Sequence, residues 1–211
     1  MHEHWATFDC YGTLIDWNGG IRGVLGRVFG EAAAEAELRR FHEIEPELQA
    51  DGRRTYRQVL TEAMRRLGVR APEVSALADS LPGWPAFPDV RRPLQELRAR
   101  GWRLAILSNT DRDYVEASMR QIGVPFELAI VASEIGSYKP ATRHWTEFFH
   151  RTGAEPTNHV HVAASLFHDI VPAADLGLRA VWINRLGEQS SLPRLHELAD
   201  LTGLPEVLSR L

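Results

Sequence analysis

The chain has 211 residues, of which 44% are hydrophobic, and this composition suits a globular protein with one large domain or a core carrying an insert. The formal net charge of -4 gives no electrostatic reason to expect a nucleic-acid partner, and no apolar run is long enough to span a bilayer. The single cysteine, Cys10, excludes an internal disulfide framework and the N-terminus has no secretory pattern, so we expect a cytoplasmic protein with Cys10 in its core.

The first part of the chain predicts one strand followed by a long helical segment. The apolar run from Trp5 to Phe8 predicts a buried strand that ends at Asp9. From residue 20 to about residue 81 the composition is rich in Ala, Glu, Arg and Leu, with no convincing strand. The Pro-rich stretch 82–88 then predicts a return linker.

After this linker, helices and strands alternate. Strands are predicted at 103–107, 128–131, 159–163 and 180–183, and helices at 90–100, 111–121, 142–151 and 169–176, with Asp111 as a candidate helix cap. Such alternation indicates βαβ units and a parallel sheet. We therefore predict an α/β fold with a doubly wound, Rossmann-like parallel sheet, formed by residues 1–16 and 86–211, and a helical cap formed by residues 17–85.

Polar side chains follow several of the predicted strands. Asp9, Ser108, Asn109 and the loop 164–169 each come directly after a strand, and Lys139 follows one after a longer loop. In open α/β sheets, ligands bind in the crevice beyond the carboxyl ends of the strands. We therefore expect these residues to meet in one crevice, from which the helical cap would exclude water.

Four stretches, at residues 8–14, 107–110, 138–140 and 162–169, carry the order of motifs of a known superfamily. They read FDCYGTL, LSNT, YKP and VAASLFHD. The first is quite specific, whereas each of the others is weak alone and gains its weight from the order. With the helical insertion after the first motif, the chain resembles the haloacid dehalogenase superfamily over nearly its whole length, and within it the metal-independent 2-haloacid dehalogenases.

The resemblance implies roles for four residues. Asp9 would be a nucleophile that forms a covalent ester, which a carboxylate can do if it stays ionised. Lys139 would hold Asp9 ionised and correctly turned. Asp169 would orient Lys139 or the hydrolytic water, although an aspartate at this point also suits a helix cap. Thr13 would hydrogen-bond the nucleophile or stabilise the turn.

Two positions distinguish subclasses of the superfamily. Phosphatases carry a second aspartate two residues after the nucleophile, which protonates the departing alkoxide, but this chain has Tyr11 there. Magnesium-dependent relatives carry an acid five residues before Asp169, where this chain has Ala164. A halide needs no proton to leave, and a hard cation wants several oxygen ligands. We therefore expect no metal cofactor, and Mg²⁺ only if the protein is a phosphatase.

On the substrate side, Ser108 and Asn109 offer donors for a substrate carboxylate, or they are ordinary loop residues. The resembled family uses a cap arginine to receive the halide. Arg40 lies at about the right distance from Asp9 along the chain, with Arg39 beside it, but an arginine in a helical run also suits a solvated face.

The fourth motif departs from the best-known dehalogenases. They have serine and asparagine where this chain has Ala164 and Leu166, and tyrosine six residues after the lysine, where this chain has Trp145. His168 is a candidate replacement in water handling, or a packed residue. His159 and His161 alternate on a predicted strand, and we expect them to pack rather than bind metal.

The predicted function is hydrolytic dehalogenation of short 2-haloalkanoic acids to 2-hydroxy acids through an ester on Asp9. Two alternatives stay open: a phosphatase acting on a small phosphomonoester, and a catalytically faded protein that binds a metabolite or a partner protein. The expected partner is a small-molecule substrate, with neither nucleic acid nor membrane. The sequence leaves a monomer and a homodimer both open.

Overall fold

A computed structural model describes residues 3–211, and its centre is a six-stranded sheet in the order β3-β2-β1-β4-β5-β6. All neighbouring strands are parallel. The strands are β1 (Trp5–Phe8), β2 (Arg103–Ser108), β3 (Leu128–Val131), β4 (His159–Ala163), β5 (Ala180–Ile183) and β6 (His196–Leu198). The predicted α/β fold with a parallel sheet is confirmed.

Ten α-helices connect and flank the strands in the described part of the chain. They are α1 (Trp17–Phe29), α2 (Ala34–Gln49), α3 (Tyr56–Arg66), α4 (Ala76–Ser80), α5 (Arg91–Ala99), α6 (Arg112–Ile122), α7 (Ala132–Ile135), α8 (Arg143–Thr152), α9 (Val171–Asp175) and α10 (Leu204–Leu208). A π-helical turn at Leu166–Ile170 precedes α9. None of the helices within residues 3–211 has the length and apolar character needed to cross a membrane.

The order of the strands fixes where a ligand can bind. Strands β1, β4 and β5 are buried along their whole length, as expected for parallel strands covered by helices on both faces. β1 lies between β2 and β4, so the chain winds outward from β1 in both directions. This is the topological switch point, and the crevice beyond the carboxyl ends of β1 and β4 is the expected ligand site.

The helices α1 to α4 form one continuous insertion between β1 and α5. The chain enters and leaves it at one place, because the Asp16 N–H donates to the Pro85 carbonyl (2.9 Å) and the Phe87 N–H donates to the Leu14 carbonyl (3.0 Å). We call residues 17–85 the cap segment, with the boundaries that the sequence predicted. Its status as a separate domain stays a prediction.

A carboxylate from the core joins the cap segment to the sheet. Asp111 was a candidate cap for α6, but its side chain makes no capping bond there. It instead accepts the backbone N–H groups of Tyr56 (2.8 Å) and Arg57 (2.9 Å) at the start of α3. An anion at a helix N-terminus satisfies donors that the helix leaves free. The Asp111 side chain therefore makes a tertiary contact between the core and the cap segment and does not cap α6.

Candidate active site

A cavity of about 610 Å³ lies between the carboxyl ends of the strands and the cap segment. From the core it is lined by predicted site residues, namely Asp9, Tyr11, Ser108, Asn109, Lys139, His168 and Asp169. From the cap segment it is lined by residues that include Trp17, Arg22, His42, Glu45, Gln49 and Tyr56. The convergence expected from the sequence is therefore present.

Asp9 follows β1 directly and is held by two donors, one on each carboxylate oxygen. Lys139 Nζ donates to Oδ1 at 2.9 Å, and Thr13 Oγ1 donates to Oδ2 at 2.6 Å. Thr13 Oγ1 in turn accepts the Ala164 N–H at 2.9 Å, which links the nucleophile loop to the loop after β4. The arrangement fixes the rotation of the Asp9 carboxylate and places positive charge beside it.

Lys139 is buried, at 2% exposure, and uses all three of its ammonium donors. They go to Asp9 Oδ1 (2.9 Å), Asp169 Oδ1 (2.6 Å) and the Leu107 carbonyl (2.9 Å). Burial alone lowers the pKa of an ammonium group, but the negative charges of Asp169 and Asp9 outweigh burial and raise the Lys139 pKa above its usual value. The amine therefore stays charged at neutral pH.

The composition of the chain also distinguishes Lys139 from the other basic residues. Of the 24 Lys and Arg residues, 23 are arginine, and Lys139 is the single lysine. An arginine presents a planar fork, whereas an ammonium group is a compact point charge with three donors. Only the second shape suits three acceptors that converge on one buried nitrogen.

Asp169 connects Lys139 to a chain of buried side chains. Its Oδ1 accepts from Lys139 and lies 2.9 Å from His161 Nε2, while Thr7 Oγ1 lies 2.8 Å from both His161 Nδ1 and His159 Nε2. Burial on its own raises the pKa of a carboxyl, but Lys139 and His161 hold the pKa of Asp169 below its usual range. Asp169 is therefore a carboxylate.

That charge sets the direction of the bond to His161. Because a carboxylate only accepts, His161 donates from Nε2 to Asp169. At the other end of the chain, burial lowers the His159 pKa to about 3, so this ring is neutral. Packing rather than metal binding was expected of His159 and His161. The structure adds that His161 positions Asp169.

The second motif contributes two different kinds of group. Ser108 lines the cavity, and its Oγ is buried with no hydrogen-bond partner within residues 3–211. The same holds for Oδ2 of Asp169, which belongs to the fourth motif. Asn109 is already engaged, since its Nδ2 donates to the Lys139 carbonyl (2.9 Å) and its Oδ1 accepts the Lys139 N–H (2.6 Å). The contacts of the Asn109 side chain therefore hold the Lys139 loop, whereas the Ser108 hydroxyl is not engaged by any described residue.

Tyr11 and His168 both lie on the cavity wall, each with a hydrogen bond to a serine. The Tyr11 hydroxyl lies 2.9 Å from Ser118 Oγ, and burial raises the Tyr11 pKa well above its usual value. His168 Nδ1 lies 3.1 Å from Ser165 Oγ, and burial lowers its pKa, so the ring is neutral. Tyr11 thus keeps its proton, and His168 is a neutral ring at the wall.

Two of the residues predicted to bind the substrate are not brought to the cavity. Arg40 has a side chain that is 49% exposed and pairs with Glu37 at 2.7 Å, on the solvent side of α2. Trp145 is fully buried in the core beside β2, where it meets the His161 ring edge-on with 5.1 Å between centroids. Their assignment to substrate binding is corrected: Arg40 is a surface residue, and Trp145 packs behind the site.

The cap segment brings in residues that the sequence reading missed. Glu45 and Gln49 lie on the buried face of α2, in the same stripe as Leu38, Phe41 and Leu48. A glutamate at the spacing of an apolar stripe was the signal that could have identified this position, because helical residues three, four and seven apart share a face. His42, rather than Arg40, lines the cavity from this helix.

No three His, Cys, Asp or Glu side chains within residues 3–211 are grouped so that they could hold a metal ion. The polar groups that line the cavity include carboxylates, an ammonium group, hydroxyls and a neutral imidazole. A carboxylate held between a hydroxyl and a cation, facing a cavity, is equipped for nucleophilic attack.

Comparisons with known proteins agree with this geometry. The chain is 29% identical over 220 residues to (S)-2-haloacid dehalogenase 1 of Pseudomonas sp. (strain CBS-3), covering 98% of this chain and 96% of that one. It is 27% identical to (S)-2-haloacid dehalogenase 4A of Burkholderia cepacia, with 97% and 94% covered.

A solved structure of L-2-haloacid dehalogenase from Xanthobacter autotrophicus, with chloropropionic acid covalently bound, superimposes with a TM-score of 0.83 at 20% identity and covers 98% of both chains. This likeness supports the fold. Residues 5–177 match the family model of the haloacid dehalogenase-like hydrolases. The chain therefore belongs to the haloacid dehalogenase-like hydrolase family.

Proposed function

We propose that this hydrolase dehalogenates short 2-haloalkanoic acids to 2-hydroxy acids through a covalent ester on Asp9. The observation that carries the proposal is the Asp9 carboxylate, held between Lys139 and Thr13 at a strand end, with a tyrosine in place of a proton-donating acid. The two (S)-2-haloacid dehalogenases, similar over nearly the whole chain, support it.

In the first step, an oxygen of Asp9 attacks the carbon that bears the halogen, and the halide leaves with the bonding electron pair. The free Ser108 hydroxyl is our candidate donor to the substrate carboxylate. No proton is needed for the leaving group, which agrees with the Tyr11 hydroxyl being engaged by Ser118. Displacement from the side opposite the halogen inverts the substrate carbon.

In the second step, water attacks the carboxyl carbon of the Asp9 ester, and the bond to the substrate oxygen breaks. Lys139 and Thr13 stabilise the charge that develops on the Asp9 oxygens. The free Oδ2 of Asp169 would hold the water, and neutral His168 would accept its proton. The released alkoxide takes up a proton to give the 2-hydroxy acid, so the net products are hydroxy acid, halide and one proton.

The remaining features belong to the same proposal. The cap segment would close the cavity against bulk water, which strengthens the electrostatic interactions inside it. The reaction needs no divalent metal, because Lys139 supplies the positive charge. We place the enzyme in the cytoplasm, with a small-molecule acid as its partner.

The experiment that tests the proposal is a substrate panel. Haloacetates, 2-halopropionates and an aryl phosphate are each assayed with magnesium and with a chelator, by release of halide or phosphate. The proposal predicts halide release that the chelator leaves unchanged. Phosphate release that depends on magnesium would establish the phosphatase instead, and activity on none of the substrates would favour a binding protein.

A further inference from the structure

A polar cluster of the cap segment lines the same cavity as the nucleophile. It consists of Glu45 and Gln49 on α2 and Tyr56 on α3, all three of which line the cavity. Glu45 is 6% exposed. The ring of Tyr56 stacks on that of Tyr11, with 6.3 Å between centroids, so the cluster adjoins the nucleophile loop.

The hydrogen bonds of this cluster are unevenly shared between the two oxygens of Glu45. Tyr56 donates its hydroxyl proton to Oε1 at 2.8 Å, and Gln49 donates from Nε2 to the same Oε1 at 2.9 Å. Trp17 donates from Nε1 to the Tyr56 oxygen at 2.9 Å. The Tyr56 hydroxyl therefore accepts from Trp17 and directs its own proton at Glu45. Within residues 3–211, Oε2 receives no hydrogen bond.

Two hydrogen bonds to Oε1 suit either form of a carboxyl group, whereas burial without a cation partner among the described residues favours the neutral acid. In the neutral form, Oε1 is the carbonyl oxygen, and Oε2 carries the proton and is free to donate into the cavity. No cation of the described residues pairs with Glu45. Burial raises its pKa to about 7, although the bonds from Tyr56 and Gln49 oppose the rise.

The charged and titratable side chains around Glu45 are paired elsewhere or keep one protonation state near neutral pH. Arg22, on α1, already pairs with Glu35 at 3.1 Å, and Lys139, across the cavity, is saturated by its own carboxylates. His42, one turn earlier on α2, stacks flat on Trp17. The lowered pKa of His168, on the core wall, places its titration on the acid side of neutrality, and Tyr11 and Tyr56 stay protonated.

We propose that the neutral acid of Glu45 is a substrate-binding group, which donates a hydrogen bond from Oε2 to the anionic substrate. The inference deepens the proposed function and rests on it for the identity of the substrate as a 2-haloalkanoate. When Glu45 loses its proton, the donor becomes an anion that repels the substrate. The enzyme therefore binds its substrate best below neutral pH and loses it as Glu45 ionises.

The first test is the pH dependence of kcat/KM with a 2-halopropionate. Since only the neutral fraction of Glu45 binds, kcat/KM should be about tenfold lower at pH 8 than at pH 6, mainly through KM. Glu45→Gln keeps an acceptor for Tyr56 and a donor on the cavity wall, so its kcat/KM should not decline above pH 7 and should exceed that of the wild type at pH 8. Glu43→Gln, on the exposed face of α2, should follow the wild type.

A Glu45→Gln enzyme that keeps the wild-type decline would overturn the inference, and so would a wild type with no alkaline decline. A merely structural Glu45 would alter the unfolding midpoint with pH and leave KM unchanged, which also contradicts it. Circular dichroism of both variants establishes that they are folded before rates are compared.

The second test needs no turnover. Propionate binding is measured by calorimetry at pH 8 in phosphate and in Tris, whose ionisation enthalpies differ. The wild type should take up about one proton per propionate bound, and Glu45→Gln should take up none. Proton uptake without dehalogenation of any haloacid would support this inference while the proposed function fails. Dehalogenation without proton uptake would overturn the inference and leave the proposed function standing.

Discussion

Replacing Lys139 by methionine tests the electrostatics of the site, because methionine keeps most of the volume and removes the charge. The substitution leaves the carboxylates of Asp9 and Asp169 facing the same buried point with no cation between them. Removing one partner of a buried ion pair costs about 3–5 kcal/mol. Since domains have a free energy of unfolding of about 5–15 kcal/mol, we expect a folded but strongly destabilised protein.

The loss of stability caused by Lys139→Met should be larger at high pH than at low pH. In the wild type, the pKa of Asp169 is held below its unfolded value, so its contribution to stability is present above about pH 4 and is lost on acidification. Without the cation, burial raises the folded pKa, and the contribution is present below about pH 4 and is lost as pH rises. The difference between the two proteins should therefore be largest at pH 8 and smaller at pH 5.

Urea denaturation at pH 5 and pH 8 measures both effects. Arg143→Met, which removes an exposed cation from α8, is the matched control and should change the free energy of unfolding by less than about 0.5 kcal/mol. Adding Asp169→Asn to Lys139→Met should recover part of the loss, because it removes one uncompensated charge. A loss below about 1 kcal/mol at pH 8, or one that grows on acidification, would refute the reasoning.

Three further predictions follow from the same contacts. Asp9→Asn should abolish turnover because an amide cannot form the ester, and near-wild-type rates, after mass spectrometry has excluded deamidation, would contradict this. Because Lys139 is the single lysine, protein labelled with ¹³C-lysine should give one ε-carbon NMR signal at the ammonium position up to about pH 10, and titration of that signal near pH 8 would contradict a raised pKa. His161→Phe should lower the free energy of unfolding by about 1.5–3 kcal/mol by removing a hydrogen bond to a charged group, whereas a loss below about 0.5 kcal/mol would mean that His161 does not hold Asp169.

The parts of the fold that the sequence predicted are those where burial dominates. The bounds of β1, β3, β4 and β5 match the prediction. Parallel strands buried on both faces tend to read as apolar runs, and this holds for β3 and β5 and largely for β1, whereas β4 alternates histidine with apolar residues. The edge strand β6 was missed, since its three residues, His196–Leu198, are exposed or half-buried and carry no such run. Chain order and periodicity therefore located five strands of the sheet but not the edge strand β6.

The site was predicted as far as the motifs reach. Asp9, Thr13, Lys139 and Asp169 come together because strand ends meet at one edge of the sheet. The cap contribution depends instead on which face of α2 turns inward, and a shift of two residues turns a helix by about 200°. Spacing from Asp9 therefore favoured Arg40, whereas the helix presents His42 and Glu45 to the cavity.

The measurement that tests the covalent mechanism most directly is a single turnover in heavy-oxygen water, with enzyme in excess over a 2-halopropionate. If Asp9 is the nucleophile, the first 2-hydroxy acid carries light oxygen from Asp9. The label then enters the protein as the ester is hydrolysed and reaches product only in later turnovers. Heavy oxygen in all of the first product would mean that water attacks the substrate directly, and Asp9 would then be a general base rather than the nucleophile.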